Sequence, residues 1–336
     1  MTQTAKTQPD TADLWVPGLL LSLAVAVVAT ALGRVAPVVG APVFGIVGGG
    51  LLAAAIRPGE RLRPGFAVAG KGVLQASVVV FGTGLSLSRV AHVGGSSLPV
   101  LLGTLAVALG VAWLGGRLLG VGGDARTLIG VGSAICGASA IAATTAVIEA
   151  AEVDVAYAIG TIFAFNVTAV LLYPALGHAL GLSQHAFGLW AGTAINDTSS
   201  VVAAGYTYGA AAGSYGVVVK LTRSLMIIPI CVALALHRRR KTGTDRPALP
   251  WRKLVPTFLI GFVLASALNS VGAIPAAWHG ALQQLGVFLI TVALSGIGLS
   301  LRIGEIRRAG VRPLLLGGLL WASIGLTSLG LQTLLH

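Results

Sequence analysis

Charge is scarce in this chain. Only 10% of its 336 residues are Asp, Glu, Lys or Arg, while 55% are apolar, a balance that excludes a soluble globule, in which about a quarter of the residues carry charge. Cysteine is nearly missing. Cys136 and Cys231 both fall inside apolar runs, which argues against a disulfide framework. The six histidines are scattered, with no HExxH or other close metal spacing. No GxSxG elbow, Walker loop or strand-borne dinucleotide fingerprint is present either. A membrane-embedded hydrolase built on Ser199 or Ser200 with Asp197 would still need a histidine, and His185 lies about three helical turns away. The expectation is a protein that is not an enzyme and carries no metal or cofactor.

Long apolar runs are what the chain has instead. Segments of about 20 residues recur between short polar breaks, the length an α-helix needs to cross a hydrocarbon core about 30 Å thick. About eleven such segments can be placed: Leu14–Leu32, Pro37–Ile56, Gly70–Leu87, Ser97–Leu119, Thr127–Ala150, Val153–Gly177, His185–Tyr206, Gly213–Leu236, Leu254–Val271, Gln283–Leu301 and Pro313–Leu334. The fold class expected is an all-α polytopic membrane protein. Residues 1–13 form an amino-terminal tail and residues 14–336 one transmembrane transporter domain, interrupted by a linker-like loop at 237–253. The first segment is retained in this reading, since one Lys against two Asp precedes it, unlike the basic start of a signal peptide.

Positive charge clusters after even-numbered segments: Arg57, Arg61 and Arg63; Arg117 and Arg126; "HRRRKTGTDRPALPWRK"; and "RIGEIRRAGVR". Because basic loops stay cytoplasmic, eleven segments with this parity place the amino terminus inside and the carboxyl terminus outside the membrane. The acidic "EAAEVDV" then falls at an odd-numbered exit. The net charge of +12 is accounted for by loops facing anionic lipid, so membrane lipid is the expected partner and nucleic acid is not.

Two internal likenesses stand out. "FGTGLSLSR" at Phe81–Arg89 resembles "SGIGLSLRI" at Ser295–Ile303, in segments that run in opposite directions, the mark of an inverted repeat. "GSAICGASAIAA" at Gly132–Ala143 resembles "GTAINDTSSVVA" at Gly192–Ala203, but these two segments run the same way in this count, so either one boundary is misplaced or the likeness is local convergence. Both place Gly, Ser, Thr or Asn where a regular helix would carry Leu or Ile. Unwound backbone there exposes half-helix ends, and their amino termini attract anions. Close helix packing is the competing explanation for small residues, balanced for "CGASA" and weaker for "NDTSS", which adds Asp197. Lys220 and Arg223 share one face of the eighth segment. A charge at that depth costs about 2.5 kcal/mol or more unless paired or wet. Two cations against one carboxylate leave a positive surplus that suits an anion; the alternative is a salt bridge from Asp197 to one of them. Asn166 reads as a helix-to-helix hydrogen bond before a ligand.

These residues carry a resemblance. "GLWAGTAINDTSSVVAAG", "VVVKLTRSLMIIPI", "GVGSAICGASAIAATTAVI" and "VVVFGTGLSLSRV" resemble the bacterial sulfate exporter family, conserved hypothetical membrane proteins grouped with sodium/proton antiporters and bile-acid symporters. The likeness runs from Trp15 to the end. It implies discontinuous crossing helices at a substrate site, one break formed by Cys136, Gly137, Ala138 and Ser139, the other by Asn196, Asp197, Thr198 and Ser199, with Lys220 and Arg223 beside them. Many members carry a His-Glu pair where this chain has Asn196-Asp197.

The function expected is a secondary transporter exporting a small inorganic anion, sulfate or another sulfur oxyanion, by alternating access. Asp197 is the candidate site for a coupling H+ or Na+, and a homodimer the candidate assembly. The runner-up is a cation/proton antiporter in which Asp197 binds the cation.

Overall fold

The computed structural model describes residues 11–36, 40–242, 257–300 and 310–335, and among these all regular structure is helical. Most of the 1–13 tail, residues 243–253 of the expected loop and the basic stretch 301–309 lie outside the described residues. Every apolar segment read from the sequence appears as a helix. Seven are long and apolar enough to cross a membrane. They are α1 (Thr11–Val35); Glu60–Gly82, which strings together α3 (Arg63–Ala67), a π-turn and α4 (Leu74–Gly82); α5 (Leu87–Leu118); α8 (Glu152–Ala179); the run of α11 (Ala210–Ser224) into α12 (Ile227–Thr242); α14 (His279–Leu299); and α15 (Val311–Leu335). Two are shorter, α2 (Ala41–Ile56) and α13 (Thr257–Ser270). The remaining two are each broken in the middle, into α6 (Gly123–Ala134) with α7 (Ala138–Ile148) and α9 (Gln184–Ala194) with α10 (Thr198–Tyr208). The chain is thus an all-helical, multi-pass membrane protein.

Two compact units divide the helices, Met1–Val78 with Gly280–Leu301, and Val79–His279 with Arg302–His336. In the first, Ala26, Ala69 and Val292 form a small apolar core. The second holds both broken helices and a large core that includes Leu128, Ile162, Tyr173, Phe187, Trp190 and Val201.

Both broken segments fold back on themselves instead of running through. A Cβ added to Gly132 would sit 3.0 Å from the Ile141 side chain, whereas nine residues of continuous helix would separate those positions by about 13 Å. Likewise Gln184 Oε1, at the start of α9, accepts from the amides of Ala211 and Ala212 just beyond α10, at 3.0 and 3.2 Å. Straight helix would place them about 40 Å apart. The pairs are re-entrant hairpins.

Helix α8 sets their orientation. Three residues join its amino end to α7, and near its midpoint Ile162 lies 3.2 and 3.4 Å from the Cβ positions of Gly132 and Gly137. One turn further, Asn166 Oδ1 accepts from Asp197 N at 3.1 Å. Towards its carboxyl end, Tyr173 stacks on Trp190 at 4.2 Å, and Gly177 abuts Phe187 and Tyr208. The first hairpin therefore occupies one half of α8 and the second the other half, tip to tip. This removes the parity conflict between the two matched segments, because hairpins entering from opposite ends run in inverted sense without either crossing. It also corrects the placement of the acidic stretch: residues 149–154 return to the end where α6 begins, the end that also carries Arg117 and Arg126.

The second hairpin packs against α11 through glycine. A Cβ on Gly188 would lie 2.8 Å from the Ala212 carbonyl oxygen, and one on Gly205 2.8 Å from Gly213 Cα. Both obstacles are backbone, so whole helices would have to move. Gly188→Ala and Gly205→Ala are each expected to lower stability by about 1–3 kcal/mol through overpacking, read as a fall in melting temperature of the detergent-solubilised protein; unchanged melting in both would mean that α9–α11 are not packed this closely.

Candidate functional site

Each hairpin tip is three residues of non-helical backbone. In the first, Ile135 (φ −121°, ψ −90°) ends α6 and Gly137 (φ 68°, ψ −131°) opens α7. That positive φ with that ψ is a region only glycine enters freely, so the break is written into the sequence at Gly137. In the second, Ile195 and Asp197 are both extended, and Asp197 is the N-cap of α10. The tips touch: a Cβ on Gly137 would lie 3.5 Å from Asp197 Cβ and 3.7 Å from the carbonyl carbon of Asn196.

A broken helix leaves carbonyls without partners at the end of its first half. In α6 the last four are all satisfied. Val131 O accepts from Ile135 N at 3.1 Å and Gly132 O from Gly137 N at 2.9 Å. Ser133 O and Ala134 O accept from the Arg223 guanidinium, through Nη2 at 2.6 Å and Nε at 2.7 Å. At the tips themselves, Lys220 Nζ donates to Ile135 O at 2.7 Å and to Ile195 O at 2.8 Å, and Arg223 Nη1 also reaches Ile195 O at 3.3 Å. Both cations are fully enclosed, Lys220 at 0% and Arg223 at 1% exposure. They sit at the carboxyl ends of α6 and α9, where the helix dipole is negative.

The acidic residue does something separate. Asp197 Oδ2 accepts from Ser199 N at 3.0 Å and from Ser199 Oγ in a short contact, capping the amino end of α10. Among the described residues no ion pair joins it to Lys220 or Arg223, so the salt-bridge alternative is not what the structure adopts. Two carboxyl termini of about half a negative charge each oppose two full cations, while Asp197 is balanced by the amino termini of α7 and α10, leaving roughly one positive charge in excess.

The other expected site residues are gathered at the same joint. Cys136, Gly137, Asn196, Thr198 and Ser199 are buried, and Asn196 Oδ1 has no hydrogen-bond partner. Ala138 and Ser139, at the amino end of α7, are exposed, and no side chain caps that end. Asp197 is half-buried. Asn166, expected to bond helix to helix, instead accepts from the amide of Asp197 in the second tip. Sequence reasoning missed the four carbonyl acceptors, Ser133, Ala134, Ile135 and Ile195, because main-chain oxygens leave no mark in side-chain identity. It also missed the aromatic brace of the second hairpin. There Phe187 stacks on Tyr208 at 3.8 Å, Tyr208 on His178 at 4.3 Å, and Trp190 Nε1 donates to Gly325 O at 3.0 Å.

The cap yields a prediction. Asn caps a helix about as well as Asp, whereas loss of the side-chain acceptor costs about 1 kcal/mol. Asp197→Ala should melt at a lower temperature and Asp197→Asn close to wild type. A large loss in the Asn variant would mean that the charge itself holds the joint together.

Comparison with known proteins agrees with a membrane protein. The chain is 42% identical over 326 residues to the UPF0324 membrane protein M6_Spy0799 of Streptococcus pyogenes serotype M6, covering 94% of this chain and 96% of the relative. It is 43% identical to spr0034 of Streptococcus pneumoniae strain R6 (95% and 96% covered) and 38% identical to SAG1125 of Streptococcus agalactiae serotype V (95% and 97%), both also UPF0324 membrane proteins. The family model described as Conserved hypothetical protein 698 matches residues 17–317. This chain belongs to that family of membrane proteins.

Proposed function

We propose that the chain is a secondary transporter that exports a small inorganic anion, with sulfate or another sulfur oxyanion as substrate, by alternating access at the joint between the two hairpin tips. The observation that carries this reading is the joint itself, where two opposed hairpins meet near the middle of α8 around a pair of enclosed cations. Irregular backbone at that depth is tolerated only where protein or a wet cavity satisfies it, and midplane sites of this kind serve transport. The positive excess favours an anion over a metal cation, which weakens the cation/proton antiporter reading. The sulfur-oxyanion assignment rests on the resemblance to the sulfate exporter family.

Export of an anion needs no coupling ion. An inside-negative potential of 100 mV favours exit by about 2.3 kcal/mol per negative charge, hence about 4.6 kcal/mol for a dianion. Uptake would require H+ or Na+, and Asp197, half-buried beside the joint, is the carrier assigned here. Counting the seven long helices with α2 and α13 gives nine traverses (7 + 2), the hairpins adding none. Nine keeps the parity of eleven. The basic clusters then all face the cytoplasm of the bacterial cell, and the carboxyl terminus faces outward.

Three outcomes test this reading. In proteoliposomes, loss of radiolabelled sulfate should accelerate when the lumen is made negative; flux indifferent to both protein and potential would refute sulfate export. Asp197→Asn should still transport the anion but lose its pH dependence, and an unaltered pH profile would remove Asp197 as carrier. A reporter fused after His336 should report the periplasm and one placed within 238–252 the cytoplasm; the reverse would overturn this orientation.

A further inference from the structure

Lys220 and Arg223 stand one turn apart on α11, and each reaches both hairpins. Lys220 Nζ bridges Ile135 O of the first to Ile195 O of the second, and the guanidinium bridges Ser133 O and Ala134 O of the first to the same Ile195 O. All five bonds end on main-chain carbonyls. Their helix is itself fixed to the second hairpin, through the turn at Gly209 and through Gln184 Oε1 on the amides of Ala211 and Ala212. Where the tips meet, the Cβ position of Gly137 lies at contact distance from Asp197 Cβ and from the Asn196 carbonyl carbon, so the clamp spans neighbouring backbone.

We infer that Lys220 and Arg223 are positioning residues, a cationic clamp that locks the two hairpin tips into one joint so that the hairpins move as a single body. The clamp occupies the carboxyl ends of α6 and α9, while the amino end of α7, with exposed Ala138 and Ser139, carries no side-chain cap. The part of this that concerns the anion rests on the transport reading above: the cations act on the anion through the place where they hold α7, not by direct ligation.

The experiment is hydrogen exchange on the full-length protein in detergent with no sulfate present. Lys220→Met keeps the bulk of the side chain and removes every donor; Lys220→Gln keeps two N–H groups without the charge. In the Met variant, peptides covering 128–148 and 186–205 should exchange about tenfold faster or more, as expected for losing a hydrogen bond to a charged group, with α8 peptides as in wild type. The Gln variant should stay within about threefold of wild type in the same peptides, because donation is what the clamp requires. Unchanged exchange in Lys220→Met would overturn the clamp. Equal acceleration across all helices, or equal effects of Met and Gln, would overturn it too. Should Lys220→Met fail to fold, Arg223→Lys provides the second arm: it loses the planar fork, so 128–137 should loosen while 186–205, still held by Lys220, does not. Equal loosening of both, or of neither, would refute the assignment. None of these arms needs an anion, so a protein that moved no sulfate would still pass or fail them.

Discussion

The second unit depends on one electrostatic match, the donation of ammonium and guanidinium protons to the carbonyls at the ends of two interrupted helices. In water such carbonyls would be hydrated. In an apolar surrounding each unsatisfied group costs several kcal/mol, so a helix can stop halfway only if something polar meets its end. Lys220 and Arg223 meet both ends at once. The arrangement is reciprocal, because two buried cations would themselves be prohibitive without the partial negative charge of two helix termini. Remove either side and the other becomes untenable.

Around this joint the two hairpins are packed with different side chains. The second hairpin is braced by stacked rings, by Trp190 on Gly325, and by Thr193 Oγ1 paired with Ser328 Oγ at 2.6 Å, so that α8, α9 and α15 share a polar and aromatic seam. Small residues dominate the first hairpin beyond its tip, where α7 reads "ASAIAATTAVI". It is nonetheless buried through Leu128, Ile129, Ile135, Ile141 and Ile148, and the bonds from α11 close its tip.

Much of this was legible in the sequence. Hydropathy located every apolar segment because twenty-residue periodicity against lipid is a strong signal. The two breaks were visible as Cys-Gly-Ala-Ser and Asn-Asp-Thr-Ser where Leu or Ile would be regular. The same residues, with Lys220 and Arg223, were identified as belonging together, and all of them lie at the joint. What could not be read was direction. Hydropathy measures transfer into lipid and is the same for a segment that passes through and one that doubles back, so both broken segments counted as crossings. Nor could the partner of the cations be read. The alternative of a salt bridge to Asp197 gave way to backbone oxygens, since Asp197 already meets the amide of Ser199. The clue was present in the arithmetic: two breaks create orphan carbonyls in pairs, and two cations follow one turn apart.

The order of these parts along the chain has a consequence for how the protein is made. The contacts that close the first hairpin link residues 85, 89 and 90 positions apart, and the cations come last. At a synthesis rate of about 5–20 residues per second, the first hairpin would wait roughly 5–20 s for its partners. During that interval its two halves, 12 and 11 residues long, are too short to span the bilayer alone, and the carbonyls at its tip have no donor. The nascent hairpin must rest against α8, the insertion machinery or the membrane surface until α11 emerges. The bonds from Lys220 and Arg223 to the earlier hairpin can form only after α11 has been translated.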